Sequence, residues 1–177
     1  MRGKEIRFGV VALVVVAGCT LTGGLMDNAR VGRTAPDTEG VDADGQRFSL
    51  SEYSGRVIML SFWGNFCGPC RRLFPHEKAI VEKYSDKPFV LLGVNGDPEE
   101  TVCKAAQLEN SLTWRSWWDG GSGPIAQKWS IQYFPTVILI DKSGVIRYRS
   151  VGPPAGNELE AKIDELLKEP SPEAKKI

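Results

Sequence analysis

Two cysteines three positions apart, Cys67 and Cys70, are the residues of this chain whose type and spacing point most directly to chemistry. They follow an apolar run that ends at Trp63 and precede a segment with helical periodicity. A cysteine at the start of a helix lies next to unpaired backbone N–H groups and the positive end of the helix dipole, which stabilise a thiolate. Because the thiolate attacks disulfides, the spacing predicts a redox-active pair, with Cys67 as the attacking thiol and Cys70 as the more buried one.

The composition argues against several other kinds of chemistry. The chain of 177 residues has 22 basic and 22 acidic side chains, so no basic excess indicates a nucleic-acid surface. Its single histidine, His76, disfavours multi-histidine metal sites and most Ser-His-Asp arrangements. Four cysteines are too few to staple a domain of this size. We therefore expect one globular domain with appendages, and we predict neither a cofactor nor a metal.

The same residues have plainer interpretations. Cys67 and Cys70 could form a static disulfide, or half of a zinc site that would need Cys103 and His76 as further ligands. Cys103 is expected to be a small buried hydrophobe, with a peroxidatic or resolving role as the alternative. His76 is expected at the surface, with a role as catalytic base as the alternative. Four tryptophans are expected to pack in the core rather than form a platform for a ligand: Trp114, Trp117, Trp118 and Trp129.

The N-terminal segment has the pattern of an export signal. Residues 1–7 carry a net charge of +2, residues 8–17 are apolar, and Gly18 and Cys19 follow. The four residues from Val16 to Cys19 resemble the lipobox of bacterial lipoproteins, which implies cleavage before Cys19 and acyl chains on that residue. The alternative is an uncleaved membrane helix over residues 8–26. Both interpretations place the domain outside the cytoplasm, tethered to a bacterial membrane on its periplasmic side.

Patterns along the chain predict four parts and an α/β domain. The parts are a signal peptide (1–18), a flexible tether (19–36), a domain (37–168) and a disordered tail (169–177). Residues 114–118 fit either a strand or a packed loop. The predicted elements are a hairpin turn at 42–45, buried strands at 56–63 and 89–94, a helix after Cys70 with Pro75 as a kink, helices at 99–110, 124–129 and 158–168, and a hairpin of 136–140 with 145–151. Their order predicts a mixed sheet flanked by helices, with an N-terminal β-hairpin extension.

Residues 36–167 resemble the thioredoxin superfamily, in particular its membrane-tethered TlpA/ResA-like branch. The resemblance combines the Cys-x-x-Cys segment with a Pro-Thr strand about 65 residues later, a more specific signature than two cysteines alone. Pro75 stands at the position of the family's helix kink. The matching segments are Ser61-Phe62-Trp63, Cys67-Gly68-Pro69-Cys70, Phe134-Pro135-Thr136 and the apolar run 137–140 that follows.

The resemblance implies a thioredoxin fold in which Pro135 is cis and faces the disulfide, while Phe134 offers backbone hydrogen bonds to an extended substrate. It implies dithiol exchange with disulfide-containing exported proteins, and a membrane electron donor of the DsbD or CcdA type that re-reduces the bridge. Cys67 and Cys70 are the implied catalytic residues. The implied substrate-binding residues are Trp63, Phe66, Gly68, Pro69, Phe134, Pro135 and Thr136.

Three positions depart from the family pattern. Phe66 stands before the first cysteine, where tryptophan is usual. Ser61 replaces the buried aspartate of cytoplasmic thioredoxins, and Leu73 replaces the glutamate of cytochrome-maturation relatives, so both family proton acceptors for Cys70 are missing. Glu77 and water are the candidate substitutes for these acceptors.

The predicted function is a membrane-tethered thiol:disulfide oxidoreductase that reduces exported proteins. The Gly-Pro dipeptide between the cysteines, which reducing thioredoxins share, favours that direction. One alternative is a DsbA-like oxidant. Two others belong to different classes: a Sco-like metal-delivery protein, whose family spaces its cysteines C-x-x-x-C, and a binding-only lipoprotein with an incidental disulfide.

Overall fold

The computed structural model describes residues 28–121 and 123–171. In chain order the elements are β1 (Glu39–Val41), β2 (Arg47–Ser49), a 3-10 helix (Leu50–Tyr53), β3 (Val57–Trp63), α1 (Gly68–Lys83), β4 (Phe89–Asn95), α2 (Glu100–Glu109), β5 (Ser116–Trp118), α3 (Pro124–Lys128), β6 (Thr136–Ile140), β7 (Ile146–Val151) and α4 (Glu158–Lys168).

Strand β3 occupies the centre of a five-stranded mixed sheet with the order β5-β4-β3-β6-β7. It pairs parallel with β4 and antiparallel with β6, and all seven of its residues are buried. A strand covered on both faces requires a continuous apolar run, which is the feature that predicted it. The structure confirms the predicted α/β class and mixed sheet.

Side chains of β3 alternate between two hydrophobic layers. Val57, Met59 and Trp63 join the layer that α1, α2 and α4 cover. Ile58, Leu60 and Phe62 join the opposite layer, which α3 and the β1–β2 hairpin help to cover. By the same alternation Ser61 lies on the α1 side, so a hydroxyl stands in the middle of an otherwise apolar row.

The predicted N-terminal β-hairpin extension is present as β1 and β2, which pair antiparallel. The Phe48 ring stacks on the Trp117 ring at 4.2 Å between centroids, and the Arg115 guanidinium lies 4.0 Å from the centroid of the Phe48 ring. Trp117 belongs to β5, which resolves the ambiguity over residues 114–118 in favour of a short strand. The hairpin is thus fixed to the sheet through aromatic packing.

The last part of the predicted tether packs against the domain. Ala29 is buried, Thr34 forms a β-bridge with Val145, and the Ala35 N–H donates to Gly144 O at 2.8 Å. The described part of the domain therefore begins before residue 37.

Several predicted features lie outside the described residues. They are the signal over 1–18, Cys19, the alternative helix over 8–26, the tether up to residue 27 and residues 172–177 of the tail. Across the part of the chain that the structure describes, no helix is both long enough and apolar enough to cross a membrane.

Candidate active site

A disulfide joins Cys67 and Cys70 at the start of α1, with an S–S distance of 2.05 Å and 5.3 Å between the Cα atoms. Cys67 is the N-cap of the helix, and its Sγ accepts a hydrogen bond from the Cys70 N–H at 3.1 Å. Pro69 occupies the first turn, where a helix has no use for an N–H donor. The predicted placement at a helix N-terminus is confirmed.

The two cysteines at the start of α1 differ in solvent exposure and in how well their surroundings stabilise a thiolate. Cys67 is 7% exposed and Cys70 is 1% exposed, so Cys67 is the more accessible of the two cysteines. In the reduced protein, the unpaired N–H groups of the first turn would stabilise negative charge on Cys67 Sγ. Arg71 and Arg72 add positive charge next to the pair, although both side chains are exposed and screened by solvent.

A buried carboxylate fixes the loop that leads to Cys67. Both carboxylate oxygens of Asp97 accept from the Asn65 N–H at 2.9 Å, and Oδ2 also accepts from Asn95 Nδ2 at 2.7 Å. The Asp97 N–H in turn donates to Asn95 Oδ1, and Trp118 Nε1 donates to Asp97 O. We call Asn65, Asn95 and Asp97 the loop clamp, because together they hold the segment two residues before the disulfide.

The loop clamp was not among the residues predicted for the site, because the strand predicted at 89–94 drew no attention to the polar residues after it. Asn95 is the last residue of β4 and Asp97 lies two residues beyond it; β4 runs parallel to β3, and parallel neighbours end at the same edge of the sheet. Polar residues at that edge are therefore candidates for contact with the Cys67 loop.

Aromatic side chains form a surface beside the disulfide. Phe66 and Tyr133 are 63% and 66% exposed, and the Phe66 ring lies 5.9 Å from the half-buried Phe134 ring. The Phe134–Pro135 peptide bond is cis, as the resemblance implies. Pairing of Phe62 with Thr136 brings the residue before β6 to the sheet edge where β3 turns toward Cys67. We call Phe66, Tyr133 and Phe134 the aromatic rim.

Exposure divides the seven residues predicted to bind substrate. Phe66 is exposed, Phe134 is half-buried and Pro135 is buried; Gly68 and Pro69 are half-buried. The side chains of Trp63 and Thr136 are fully buried: the Trp63 ring packs edge-on against Phe74, and Thr136 Oγ1 donates to Tyr133 O. The side chains of Trp63 and Thr136 therefore lie beneath the surface next to the disulfide.

A second carboxyl group, Glu77, is buried in the α1 side of the core. Burial raises its pKa from the usual 4.5 to about 7, and a hydrogen bond with the Ser61 hydroxyl offsets part of that rise. Within the described residues, Glu77 Oε1 has no hydrogen-bond partner. Glu77, the candidate substitute for the missing proton acceptors of Cys70, thus lies against Ser61.

The other residues that the sequence singled out, Cys103, His76 and the four tryptophans, lie in packing or ion-pair positions. Cys103 is fully buried, and burial together with the charges of Asp97 and Glu100 raises its pKa to about 12. His76 is partly exposed and its Nε2 lies 2.8 Å from Glu160 Oε1, which links α1 to α4. No group of three or more His, Cys, Asp or Glu side chains that could hold a metal ion occurs within residues 28–121 and 123–171. Trp114, Trp117 and Trp129 are buried, as expected, and Trp118 is partly buried.

The fold and the cysteine pair define a thiol:disulfide oxidoreductase of thioredoxin fold. The profile of the Redoxin family matches residues 30–167. The chain belongs to that family.

Named relatives agree with this assignment. The thiol-disulfide oxidoreductase ResA of Bacillus cereus is 26% identical over 172 residues, covering 94% of this chain and 99% of that protein. ResA of Geobacillus kaustophilus is 31% identical over 137 residues, which are 77% of this chain and 78% of that protein.

Solved structures show the same fold. A chain described as thiol:disulfide interchange protein DsbE from Chlorobium tepidum superposes with a TM-score of 0.72 at 31% identity, covering 78% of this chain and 98% of that one. The thioredoxin domain of a thiol-disulfide oxidoreductase from Bacteroides vulgatus gives a TM-score of 0.69 at 26% identity, covering 78% and 99%. The comparisons confirm the predicted TlpA/ResA-like family, the fold and the enzyme class.

Proposed function

We propose that this protein is a membrane-tethered, extracytoplasmic reductant that breaks disulfides of exported proteins through Cys67 and Cys70. The observation that carries the proposal is the Cys67–Cys70 disulfide at the first turn of α1, next to the aromatic rim. An apolar rim of this kind suits an extended, partly unfolded peptide with exposed hydrophobic side chains. The Gly68–Pro69 dipeptide, shared with reducing thioredoxins, supports the direction of electron flow.

The proposed reaction has two exchange steps. The Cys67 thiolate attacks one sulfur of the partner's disulfide, which forms a mixed disulfide and releases the partner's other sulfur as a thiolate that takes a proton from water. Cys70 then loses its proton and attacks Cys67 Sγ; the Cys67–Cys70 bond forms and the second partner sulfur leaves. Two electrons pass from the cysteine pair to the partner.

The proposed location rests on the N-terminal pattern. A basic segment, an apolar run and the residues from Val16 to Cys19 support export and attachment through lipid on Cys19. Outside the cytoplasm no thiol pool regenerates the reduced pair, so a membrane electron donor of the DsbD or CcdA type completes the cycle.

Trapping of mixed disulfides tests the substrate assignment. Cys70→Ser in the full chain, expressed in a bacterial host, removes the resolving thiol, so Cys67 should accumulate mixed disulfides with exported proteins. Non-reducing electrophoresis and mass spectrometry of the adducts identify the partners. The control is Cys67→Ser with Cys70→Ser, which should trap none. A Cys70→Ser variant that forms no adducts would instead favour the binding-only lipoprotein.

Processing of the N-terminus tests the anchor separately. If the chain is cut before Cys19 and acylated there, the wild-type protein should lose residues 1–18 and incorporate labelled fatty acid, whereas Cys19→Ala should incorporate none. A wild-type protein that keeps its full length in the membrane and takes up no label would contradict the lipid anchor and support the uncleaved helix.

A further inference from the structure

One buried polar group has no part in the two exchange steps as written above. Glu77 lies on α1 within the core, its carboxyl group is hydrogen-bonded to the Ser61 hydroxyl, and its Oε1 is unpaired among the described residues. A buried carboxyl group with an unsatisfied oxygen is costly to keep, so its presence calls for a functional explanation.

Helix geometry relates Glu77 to the resolving cysteine. Glu77 lies seven positions after Cys70, a spacing of about two helical turns. Both side chains therefore lie on the same, sheet-facing side of α1. The separation along the axis is about 10 Å. Side chains on a helix lean toward its N-terminus, which directs the Glu77 carboxyl toward the Cys70 end.

The sheet beneath this part of α1 is polar where the rest is apolar. Ser61, Gly93 and Ser116 are register partners across β3, β4 and β5, so they form one row on the α1 side. Trp63 Nε1 and Ser116 Oγ both approach the Cα of Gly93 closely enough that a Cβ there would clash with each. Like Glu77 Oε1, these two atoms are buried without a hydrogen-bond partner in the described part of the chain. The Glu77 carboxyl therefore faces a polar patch of the sheet, two residues before the end of β3 that leads to the disulfide.

We propose that Glu77 accepts the proton of Cys70 when Cys70 attacks the mixed disulfide, and that Ser61 positions the carboxyl group for it. The proposal rests on the roles proposed for Cys67 and Cys70 and holds for either direction of electron flow. The Cys70 S–H proton passes to the Glu77 carboxylate, the Cys70 sulfur bonds to Cys67 Sγ, and the partner's sulfur leaves with the electron pair of the broken bond. Re-reduction of the bridge returns the proton from Glu77 to Cys70.

The surroundings suit this exchange near neutral pH. Burial is the main cause of the raised pKa of Glu77, about 7, and the Ser61 hydrogen bond lowers it in part. The other titratable groups of this layer are Cys67 and Cys70 at the start of α1, Tyr84 directly after its end, Cys103 on α2 and the partly buried Tyr148 on β7. The His76–Glu160 pair also joins α1 to α4, but both of its side chains are more exposed to solvent than Glu77 is. Strands β3, β4 and β5 contribute Ser61, Gly93 and Ser116 here, none of which ionises near neutral pH.

Stopped-flow reaction of the reduced full-length protein with Ellman's reagent separates the two attacks. The first thionitrobenzoate released reports attack by Cys67, and the second reports the intramolecular attack by Cys70. Glu77→Gln keeps the side-chain shape and removes the carboxyl, so it should slow the second phase at least about 10-fold at pH 7 and remove its inflection near that pH. Glu82→Gln, at an exposed position of the same helix, should change neither phase.

Two further variants distinguish the loss of a proton acceptor from a general loss of packing. Ser61→Ala removes the hydrogen bond that lowers the Glu77 pKa, so the inflection of the second phase should move to higher pH, which loss of packing alone would not cause. Ser61→Asp combined with Glu77→Leu supplies a carboxyl from β3 and should restore an inflection. A second phase in Glu77→Gln within about twofold of the wild-type rate, with the same pH profile, would overturn the proposal. Absence of a second phase in the wild type would instead refute the role proposed for Cys70.

Discussion

At the scale of single residues, Glu77 gives the free energy of unfolding a pH dependence whose sign follows from burial. Its pKa is about 7 in the oxidised folded protein and near 4.5 when exposed, so the folded state holds the extra proton between these values. Stability should therefore fall as pH rises from about 4.5 to 7, by about 3 kcal/mol in total, and then level off. Urea unfolding of wild type and Glu77→Gln across this range measures it. The variant should lose this component, and identical slopes would contradict the assignment.

The loop clamp makes a second prediction at the same scale. Asp97→Ala leaves the Asn65 N–H and the Asn95 amide without their acceptor in a buried setting, which should lower the free energy of unfolding by about 1–3 kcal/mol. The reaction of Cys67 with Ellman's reagent should also slow, because the loop before Cys67 loses its anchor. Asp86→Ala, at an exposed aspartate, serves as the control. Unchanged unfolding and unchanged Cys67 kinetics in Asp97→Ala would show that the clamp does not hold the loop.

At the scale of elements, the end of α4 is held by the turn between β6 and β7. Lys142 Nζ donates to Leu167 O at 2.9 Å and to Glu169 O at 2.6 Å, so a buried cation caps the C-terminal end of the helix. Lys142→Met should lower the free energy of unfolding by about 1–3 kcal/mol, because two carbonyl oxygens lose a charged donor. Lys168→Met, on the exposed side of the same helix end, should have little effect in the same urea titration. Equal effects of the two substitutions would contradict the cap.

Most elements could be predicted because their signals are local. The continuous apolar run of β3 and the turn residues before β2 and β7 identify strands from neighbouring residues alone. Strand β5 stayed ambiguous because only three residues pair and its tryptophans would also suit a packed loop. The bond between Asn65 and Asp97 depends on the register of β3 against β4, which a single sequence does not fix. The burial of Trp63 and Thr136 depends in the same way on packing between distant elements.

At the scale of the whole molecule, the N-terminal segment joins the domain far from the disulfide. Thr34 pairs with Val145, next to the end of β6 at Ile140, whereas Thr136 at its other end lies at the edge of the Cys67 loop. The five residues of β6 separate the two ends by about 15 Å. A tether that enters at the Thr34 end leaves the aromatic rim open to partners.

The reduction potential of the Cys67–Cys70 bridge tests the central claim of a reductant most directly. The purified protein would be equilibrated with thiol–disulfide buffers of known potential, and the fraction of reduced Cys67 and Cys70 determined by alkylation and mass spectrometry. Buried Cys103 would serve as an internal reference that stays unmodified in the folded protein. A value near or below about −250 mV, in the range of thioredoxin, is the predicted result. A value near about −120 mV would contradict it and identify an oxidant that donates its disulfide to exported proteins.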